Sequence, residues 1–212
     1  MKKLHSNGAD TYRAIRTAAV DLIYQYGYNG TSMRRLAAAV GIDQSTLYYH
    51  IKSKQNLLFQ ITTDVREEYM AGLRAALEVS DPEEQMRRFI RYHAGIRFKL
   101  RKMSFIATTE LRSLTPARRR KTSETQRSVL AMVKDIIDRG IAAGKFDVPD
   151  STIASLAIFQ LLNGINTWHA PGGTLREDRI IEMHIQFVSG LLRSGGLERR
   201  DSVPSHADNG VG

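Results

Sequence analysis

Apolar residues recur at intervals of three and four positions along most of the chain, which is the spacing of one face of an α-helix. Runs that alternate apolar and polar residues are rare, and no Asn-Gly or Asp-Gly hairpin turn connects two β-branched segments. The pattern therefore predicts an all-α protein. The predicted helices cover residues 10–26, 33–40, 44–50, 53–79, a segment beginning at Pro82, and residues 102–113, 116–143, 151–169 and 174–194.

Residues 31–50 have the pattern of a helix-turn-helix, in which two short helices cross at a steep angle. One face of the first helix carries its apolar positions, which are Met33, Leu36, Ala37 and Val40. The hydroxyl groups of Thr31 and Ser32 can cap the start of this helix. Gly41 allows a sharp exit, and Asp43 can cap the second helix.

The second short helix directs polar and aromatic side chains outward. With Leu47 and Ile51 inward, the exposed positions are Gln44, Ser45, Thr46, Tyr48, Tyr49 and His50. Such a helix fits the major groove of DNA with its N-terminal end among the base edges, where glutamine pairs with adenine and hydroxyls bond bases or phosphates. Tyr48 also fits a partly buried position, because it flanks Leu47.

Lys54 follows Ser53 in the first turn of the next predicted helix, where the helix dipole disfavours a cation. A DNA phosphate bound jointly by the free backbone amides and the ammonium group would remove this conflict. The alternative is a solvated lysine, which costs the helix only a few tenths of a kcal/mol.

The run from Gly27 to Leu57 resembles the DNA-binding domain of the tetracycline-repressor (TetR) family of transcriptional regulators. The resemblance covers about residues 10–60, and Ile51 is a conservative replacement of the phenylalanine usual there. It implies DNA contacts from Thr31, Ser32, Arg34, Gln44, Ser45, Thr46, Tyr48, Tyr49, His50 and Lys54. Because residue types at 44–46 vary across the family, these positions are expected to set the operator sequence.

The charge distribution favours a polyanionic partner. The chain has a formal net charge of +9 and a pI of about 9.9. Residues 86–121 alone carry twelve Lys or Arg and one acidic residue. The absence of cysteine excludes disulfides and thiolate metal sites. No apolar run could span a bilayer and the N-terminus lacks a signal-peptide pattern, so we expect a cytoplasmic protein without a membrane partner.

The TetR resemblance implies a second domain that dimerises through its last two helices and encloses an effector pocket. We therefore divide the chain into a DNA-binding domain with a short N-terminal arm (1–55), a helical effector-binding and dimerisation domain (56–195), and a disordered tail (196–212). The apolar stripes of the last two helices are Ile153, Leu156, Ala157, Gln160, Leu161, Gly164 and Trp168, and Ile180, Ile181, His184, Ile185, Phe187, Val188 and Leu191. Packing within one subunit is the competing interpretation of these stripes.

An effector pocket should combine apolar side chains with a few polar groups. The candidates are Phe89, His93, Ile96, Met103, Phe105, Met132, Phe159, Leu162, Asn163 and Trp168. Each of them also fits a plain core position, and a core histidine with satisfied hydrogen bonds is the default interpretation of His93.

The segment from Trp168 to Leu175 resembles a subgroup of the family that includes regulators of fatty-acid, sterol and aromatic catabolism, some of which respond to acyl-CoA thioesters. Basic side chains that could meet the phosphates of such an effector are Arg97, Lys99, Arg101, Lys102, Arg112 and Arg118–Arg120. A solvated basic face is the competing interpretation.

No catalytic or cofactor motif accompanies these features, since a nucleophile elbow, a Gly-rich phosphate loop and a His-Glu-x-x-His pattern are all missing from the sequence. We therefore expect neither an enzyme nor a cofactor, and no metal unless His93, His169 and His184 converge. The sequence predicts a repressor that binds a near-palindromic operator in double-stranded DNA as a homodimer and is released by a small-molecule effector. An architectural DNA-binding protein without ligand control is the alternative.

Overall fold

The computed structural model describes residues 8–169 and 172–193, and these residues form nine helices and no strand. The helices are α1 Gly8–Gly30, α2 Met33–Val40, α3 Gln44–His50, α4 Lys54–Ala76, α5 Pro82–Lys99, α6 Arg101–Thr109, α7 Pro116–Ala142, α8 Ser151–Trp168 and α9 Glu177–Arg193, with a 3-10 turn at Glu110–Ser113. The all-α prediction is confirmed: α2 and α3 have the predicted ends, and the other predicted helices occur with ends shifted by a few residues. The predicted N-terminal arm and tail lie outside the described residues.

Gly27 interrupts α1 with a left-handed backbone conformation, φ 72° and ψ 168°. Side chains rarely tolerate this φ, so the predicted helix end at glycine is correct for the regular part of α1. The chain continues for one further turn to Gly30. A Cβ atom at position 27 would lie 3.4 Å from Oε1 of Glu110, an ordinary van der Waals distance, so the positive φ rather than a lack of space favours glycine here.

The ends of the two short helices follow the predicted capping pattern. The Ser32 side chain accepts a hydrogen bond from the backbone N–H of Arg35, and Asp43 accepts one from Thr46. Gly41 ends α2 in the left-handed region, with φ 74°. These local bonds position α3 relative to α2.

Two clusters of buried apolar side chains form the core. The first joins α1, α2, α3 and the start of α4 to α6, and it includes Ile15, Leu47, Leu58 and Ile106. The second lies among α5, α7, α8 and α9, and it includes Phe89, Val133, Ile158 and Val188. Because α4 and α6 contribute to packing at the first cluster and continue into the second half of the molecule, the two halves are in direct contact. The domain boundary at residue 55 stays a prediction.

Among the described helices, none combines the length and the apolar composition needed to cross a membrane.

Candidate functional site

The outer surface of α3 consists of exposed polar and aromatic side chains. Leu47 is fully buried against α1, whereas Tyr48 and Tyr49 are 53% and 87% exposed. Gln44 is also exposed, and the half-buried ring of His50 packs edge-on against Tyr49 at 5.2 Å. The predicted outward direction of this face is therefore correct, and the alternative of a partly buried Tyr48 is not supported.

Asp43 orients the two hydroxyl groups at the start of α3. Its carboxylate accepts hydrogen bonds from Oγ of Ser45 at 2.6 Å, from the backbone N–H of Thr46 at 2.7 Å and from Oγ1 of Thr46 at 3.1 Å. These bonds, led by that of Ser45, lower the pKa of Asp43 to about 2. Since both hydroxyl hydrogens are directed to Asp43, Ser45 and Thr46 present oxygen lone pairs to a ligand on this surface.

Thr31 is not available for a DNA contact, which corrects the expectation from the family resemblance. Thr31 is 1% exposed, and its hydroxyl group donates to the backbone oxygen of Gly27 at 2.9 Å. The side chain closes the turn that follows the kink of α1. Ser32 and Arg34 are exposed at the start of α2, as predicted. Arg35, which the sequence did not single out, lies over the ring of Tyr26 at 4.3 Å.

Lys54 binds the protein itself. Its ammonium group donates to the backbone oxygens of Tyr28 at 2.9 Å and Thr31 at 2.8 Å, and it lies 4.2 Å from the centre of the Tyr28 ring. The carbonyl groups at the end of α1 thus compensate the cation, so Lys54 needs no phosphate to offset the helix dipole. A phosphate contact through the third N–H stays a prediction.

A cavity of about 300 Å³ lies in the second half of the molecule, with walls from α4 to α8. Its apolar wall includes Val65, Ile96, Leu111, Val129 and Phe159, and its polar wall includes Arg66, Tyr69, His93, Arg97, Gln126, Gln160 and Asn163. Of the predicted pocket residues, the structure brings together His93, Ile96, Phe159 and Asn163.

The other predicted pocket residues lie elsewhere, which corrects those expectations. Phe89, Met132 and Leu162 pack in the second core cluster, and Met103 packs against the first. Phe105 contacts Tyr24 edge-on at 5.1 Å. Trp168 is 49% exposed and stacks on His184 at 6.2 Å. Helical periodicity identified apolar positions but not the cluster that each one joins.

His93 lies in a chain of polar contacts on the cavity wall. Nε of Arg97 donates to Nε2 of His93 at 2.9 Å. Because a guanidinium has no lone pair, Nε2 must accept, so the ring is neutral and its hydrogen is on Nδ1. Nδ1 then donates to the Tyr69 hydroxyl at 2.6 Å. Burial first, and the Arg97 charge second, lower the pKa of His93 well below its usual value.

Arg97 also donates to Oδ1 of Asn163, while Nη1 of Arg66 donates to the backbone oxygen of Thr62 at 2.8 Å. Burial lowers the pKa of both arginines to about 10. Both guanidinium groups therefore stay charged at neutral pH. No sequence pattern indicated that Arg66 or Tyr69 would reach a cavity.

The three histidines named as possible metal ligands do not converge on one point. His169 packs against Phe98 at 4.8 Å, and Nδ1 of His184 lies 2.7 Å from the backbone oxygen of Ile180. Within residues 8–169 and 172–193, no group of three or more potential ligands is close enough to hold a metal ion. The convergence of these histidines is therefore not found.

Three of the basic side chains proposed to meet effector phosphates bind other groups of the protein. Lys99 pairs with Glu68 at 3.0 Å, Lys102 pairs with Asp21 at 2.6 Å, and Arg101 donates to the backbone oxygen of His169 at 2.8 Å. Of that set, Arg97 lines the cavity. The competing interpretation of a solvated basic face therefore fits Lys99 and Lys102, whose side chains are exposed.

One face of α8 and α9 exposes large apolar side chains. Ile153, Leu156, Leu161 and Trp168 on α8 and Phe187 on α9 are between 37% and 67% exposed. Ile180, Ile185 and Val188 instead pack in the second core cluster of their own subunit. The predicted stripe of α8 therefore lies outside the core, whereas that of α9 divides between an internal core and the exposed Phe187.

The fold and the α2–α3 surface define a helix-turn-helix DNA-binding protein with a helical second domain. Residues 15–61 match the model of bacterial regulatory proteins of the tetR family, and residues 79–192 match that of the tetracyclin repressor-like C-terminal domain. The chain belongs to the TetR family of transcriptional regulators.

Proteins similar to this chain include several regulators of the family. PfmR from Thermus thermophilus is 31% identical, with 87% of this chain and 99% of that chain covered and a TM-score of 0.77. AibR, in complex with isovaleryl coenzyme A and operator DNA, is 26% identical over 86% and 97% of the two chains, with a TM-score of 0.76. The fatty acid metabolism regulator protein of Bacillus subtilis (strain 168) is 22% identical over 74% of this chain and 82% of its own length.

Proposed function

We propose that this protein is a transcriptional repressor that binds a near-palindromic operator as a homodimer and is released by a small-molecule effector in the cavity. The exposed, non-acidic surface of α3 is the observation that carries this proposal. The proposed DNA contacts are Ser32, Arg34, Gln44, Ser45, Thr46, Tyr48, Tyr49 and His50, with Lys54 through its remaining N–H. The protein is expected to act in the cytoplasm, where both the DNA and the metabolite are present.

A second copy is the proposed partner of the exposed apolar face on α8 and α9. Ile153 and Phe187 are 67% and 55% exposed, and removing such apolar side chains from water lowers the free energy of the assembled protein. Two such faces would form an intermolecular four-helix interface, which holds two α3 helices at a fixed separation.

The effector proposal rests on the cavity and on the relatives. The complex of AibR contains isovaleryl coenzyme A, and the Bacillus subtilis relative is named for fatty acid metabolism, which supports an acyl-CoA or another lipid-derived or aromatic metabolite. Helix α4 begins next to the α1 kink and lines the cavity with Val65, Arg66 and Tyr69. An effector that prefers a different position of α4 would change the distance between the two α3 helices. A hundredfold loss of operator affinity requires about 2.7 kcal/mol of preference.

Selection of genomic DNA fragments by the purified protein tests the DNA-binding function. We expect enriched fragments with two half-sites about one helical turn apart, or a simple multiple of that spacing. An architectural protein would instead bind scrambled duplexes equally well at the same salt concentration.

The variant Gln44→Ala tests the direct contribution of α3 to sequence reading. We expect a loss of about 1–3 kcal/mol on the selected site and weaker discrimination at one base pair of each half-site. Gln25→Ala is a matched control, because Gln25 is an exposed glutamine on α1 outside the proposed DNA contacts and the proposed dimer interface. Unchanged discrimination at every base pair in the Gln44 variant would exclude this residue from base contact.

A further inference from the structure

The cavity wall carries positive charge without a compensating acid. Arg66 on α4 and Arg97 on α5 both line the cavity. None of the described residues that line the cavity is an aspartate or a glutamate. Within the described residues, neither Arg66 nor Arg97 forms an ion pair with a carboxylate. Their hydrogen-bond acceptors are the uncharged groups of Thr62, His93 and Asn163. A charge removed from water is unfavourable unless an opposite charge pairs with it.

Unused hydrogen-bond donors accompany these charges. Nη2 of Arg66 is shielded from solvent and has no acceptor among the described residues. The Tyr69 hydroxyl receives the hydrogen of His93 Nδ1, so its own hydrogen is left to donate to another group. Burial raises the pKa of Tyr69, which keeps this hydrogen in place at neutral pH. The cavity thus offers donors from two helices, and the contacts from Arg97 through His93 strengthen the donor on Tyr69.

We propose that the effector is an organic anion whose carboxylate or phosphate binds Arg66 and Arg97 and accepts a hydrogen bond from Tyr69. Its uncharged part lies against Ile96, Val129 and Phe159 on the apolar wall. This inference rests on the proposed function, because it assigns the chemical class of ligand to the effector cavity. Planar guanidinium groups bind both oxygens of a carboxylate or phosphate, which matches the donors present.

The size and charge of the cavity distinguish two ligands that could supply such an anion, a compact free acid and a coenzyme A thioester. A volume of about 300 Å³ is at the small end for ligand pockets, so a compact acid fits inside it. The acyl part of a coenzyme A thioester is uncharged at its carbonyl, so this part alone would leave both arginines uncompensated. A thioester would satisfy them only if its phosphates reached Arg66 and Arg97.

Binding to a matched ligand series tests the inference on the full chain. The probes are straight-chain carboxylates from butyrate to dodecanoate, the primary amides of the same chain lengths and their coenzyme A thioesters, measured by thermal shift and calorimetry below micelle-forming concentrations. We expect one or more carboxylates to raise the Tm and to bind about tenfold or more tightly than the matching amide, as a charged hydrogen bond would give. If only the thioesters bind tightly and the arginine variants lose this binding, the anion that the arginines recognise is the phosphate of coenzyme A.

Variants of the two arginines complete the test. Arg97→Met and Arg66→Met are each expected to lose about tenfold in affinity for the anion and to bind the amide as the wild type does. Arg74→Met is the control, because Arg74 lies exposed on α4 outside this cavity. Equal binding of acids and amides, binding of no member of the series, or wild-type affinity in both arginine variants would overturn the inference. Operator binding is measured separately, so its failure would reject the proposed function instead.

Discussion

Oε1 of Glu110 accepts a hydrogen bond from the backbone N–H of Tyr28 at 3.1 Å, although 82 residues separate the two positions. Oε2 of the same carboxylate accepts a bond from Ser113 at 2.7 Å, which fixes the 3-10 turn. The next residue in this turn, Leu111, lines the cavity. One short segment therefore contacts both the cavity and the kink of α1 from which the DNA-reading helices continue.

The variant Glu110→Ala is expected to weaken this connection. The backbone N–H of Tyr28 loses its acceptor, so we expect the free energy of unfolding to fall by about 1–3 kcal/mol, measured by urea denaturation. Affinity for the selected DNA fragments should fall as well, because the kink positions α2 and α3. Glu124→Ala, at an exposed position on α7, serves as the control. Wild-type stability and DNA affinity in the Glu110 variant would show that the hydrogen bond from Tyr28 to Glu110 contributes to neither.

Lys54→Met tests whether the lysine acts mainly within the protein. Removal of the ammonium group leaves the backbone oxygen of Thr31 without this donor and that of Tyr28 with only the backbone N–H of Thr31, so we expect a loss of about 1–3 kcal/mol in stability without DNA. Lys52→Met is matched to it, since Lys52 is exposed two residues earlier, and it should change stability by about 0.5 kcal/mol or less. The dependence of operator affinity on salt gives the second readout. If the slope of log operator affinity against log salt concentration is reduced by about one unit in the Lys54 variant, Lys54 also contacts a phosphate. An unchanged slope would show that Lys54 acts only within the protein.

The sequence predicted the features that depend on neighbours in the chain. Gly41 and Asp43 end and begin their helices through bonds to residues within a few positions, so residue type and spacing were sufficient. The outward direction of α3 followed in the same way from the two buried positions on its other side. All the helices were predictable for this reason.

Features that depend on distant contacts were not predictable. Lys54 finds its acceptors 23 and 26 residues earlier in the chain, and no local pattern indicates that the end of α1 lies beside it. Arg66 follows the buried Val65 on α4, and no local pattern indicates that its guanidinium group lines a cavity. Met103, predicted for the effector pocket, instead packs against the first cluster because α6 lies against α1 and α4.

A charge on the exposed apolar face should prevent dimer formation. Phe187→Glu places a carboxylate at the proposed interface, where burial without a partner is unfavourable, so we expect a monomer in sedimentation measurements and much weaker binding to a two-half-site operator. Ile141→Glu is a suitable control, because Ile141 is also exposed and apolar but lies near the end of α7, outside this face. A stable dimer in the Phe187 variant would move the proposed interface elsewhere.

The neutral state of His93 predicts how stability depends on pH. The ring is 1% exposed, and burial and the Arg97 charge keep its pKa in the folded protein well below the value of about 6.5 that it has when unfolded. Between these two pKa values His93 is protonated in the unfolded chain and neutral in the folded protein. The contribution of the neutral His93 ring to stability is therefore complete above about pH 6.5 and is lost as the pH falls below that value. The expected slope is at most about 1.4 kcal/mol per pH unit from this one group.

Urea denaturation between pH 7 and 5 measures this effect while most carboxylates stay ionised. Stability of the wild type should fall with pH over that range, and His93→Gln should reduce the fall because the titrating ring is gone. His50→Gln, at a half-buried position on α3 outside the cavity, is the histidine control. Should the His93 variant not fold, the NMR shift of the His93 ring in the wild type gives the same information. A ring that became protonated near pH 6.5 in the folded protein would contradict both the neutral state and the bond from Arg97 on which it depends.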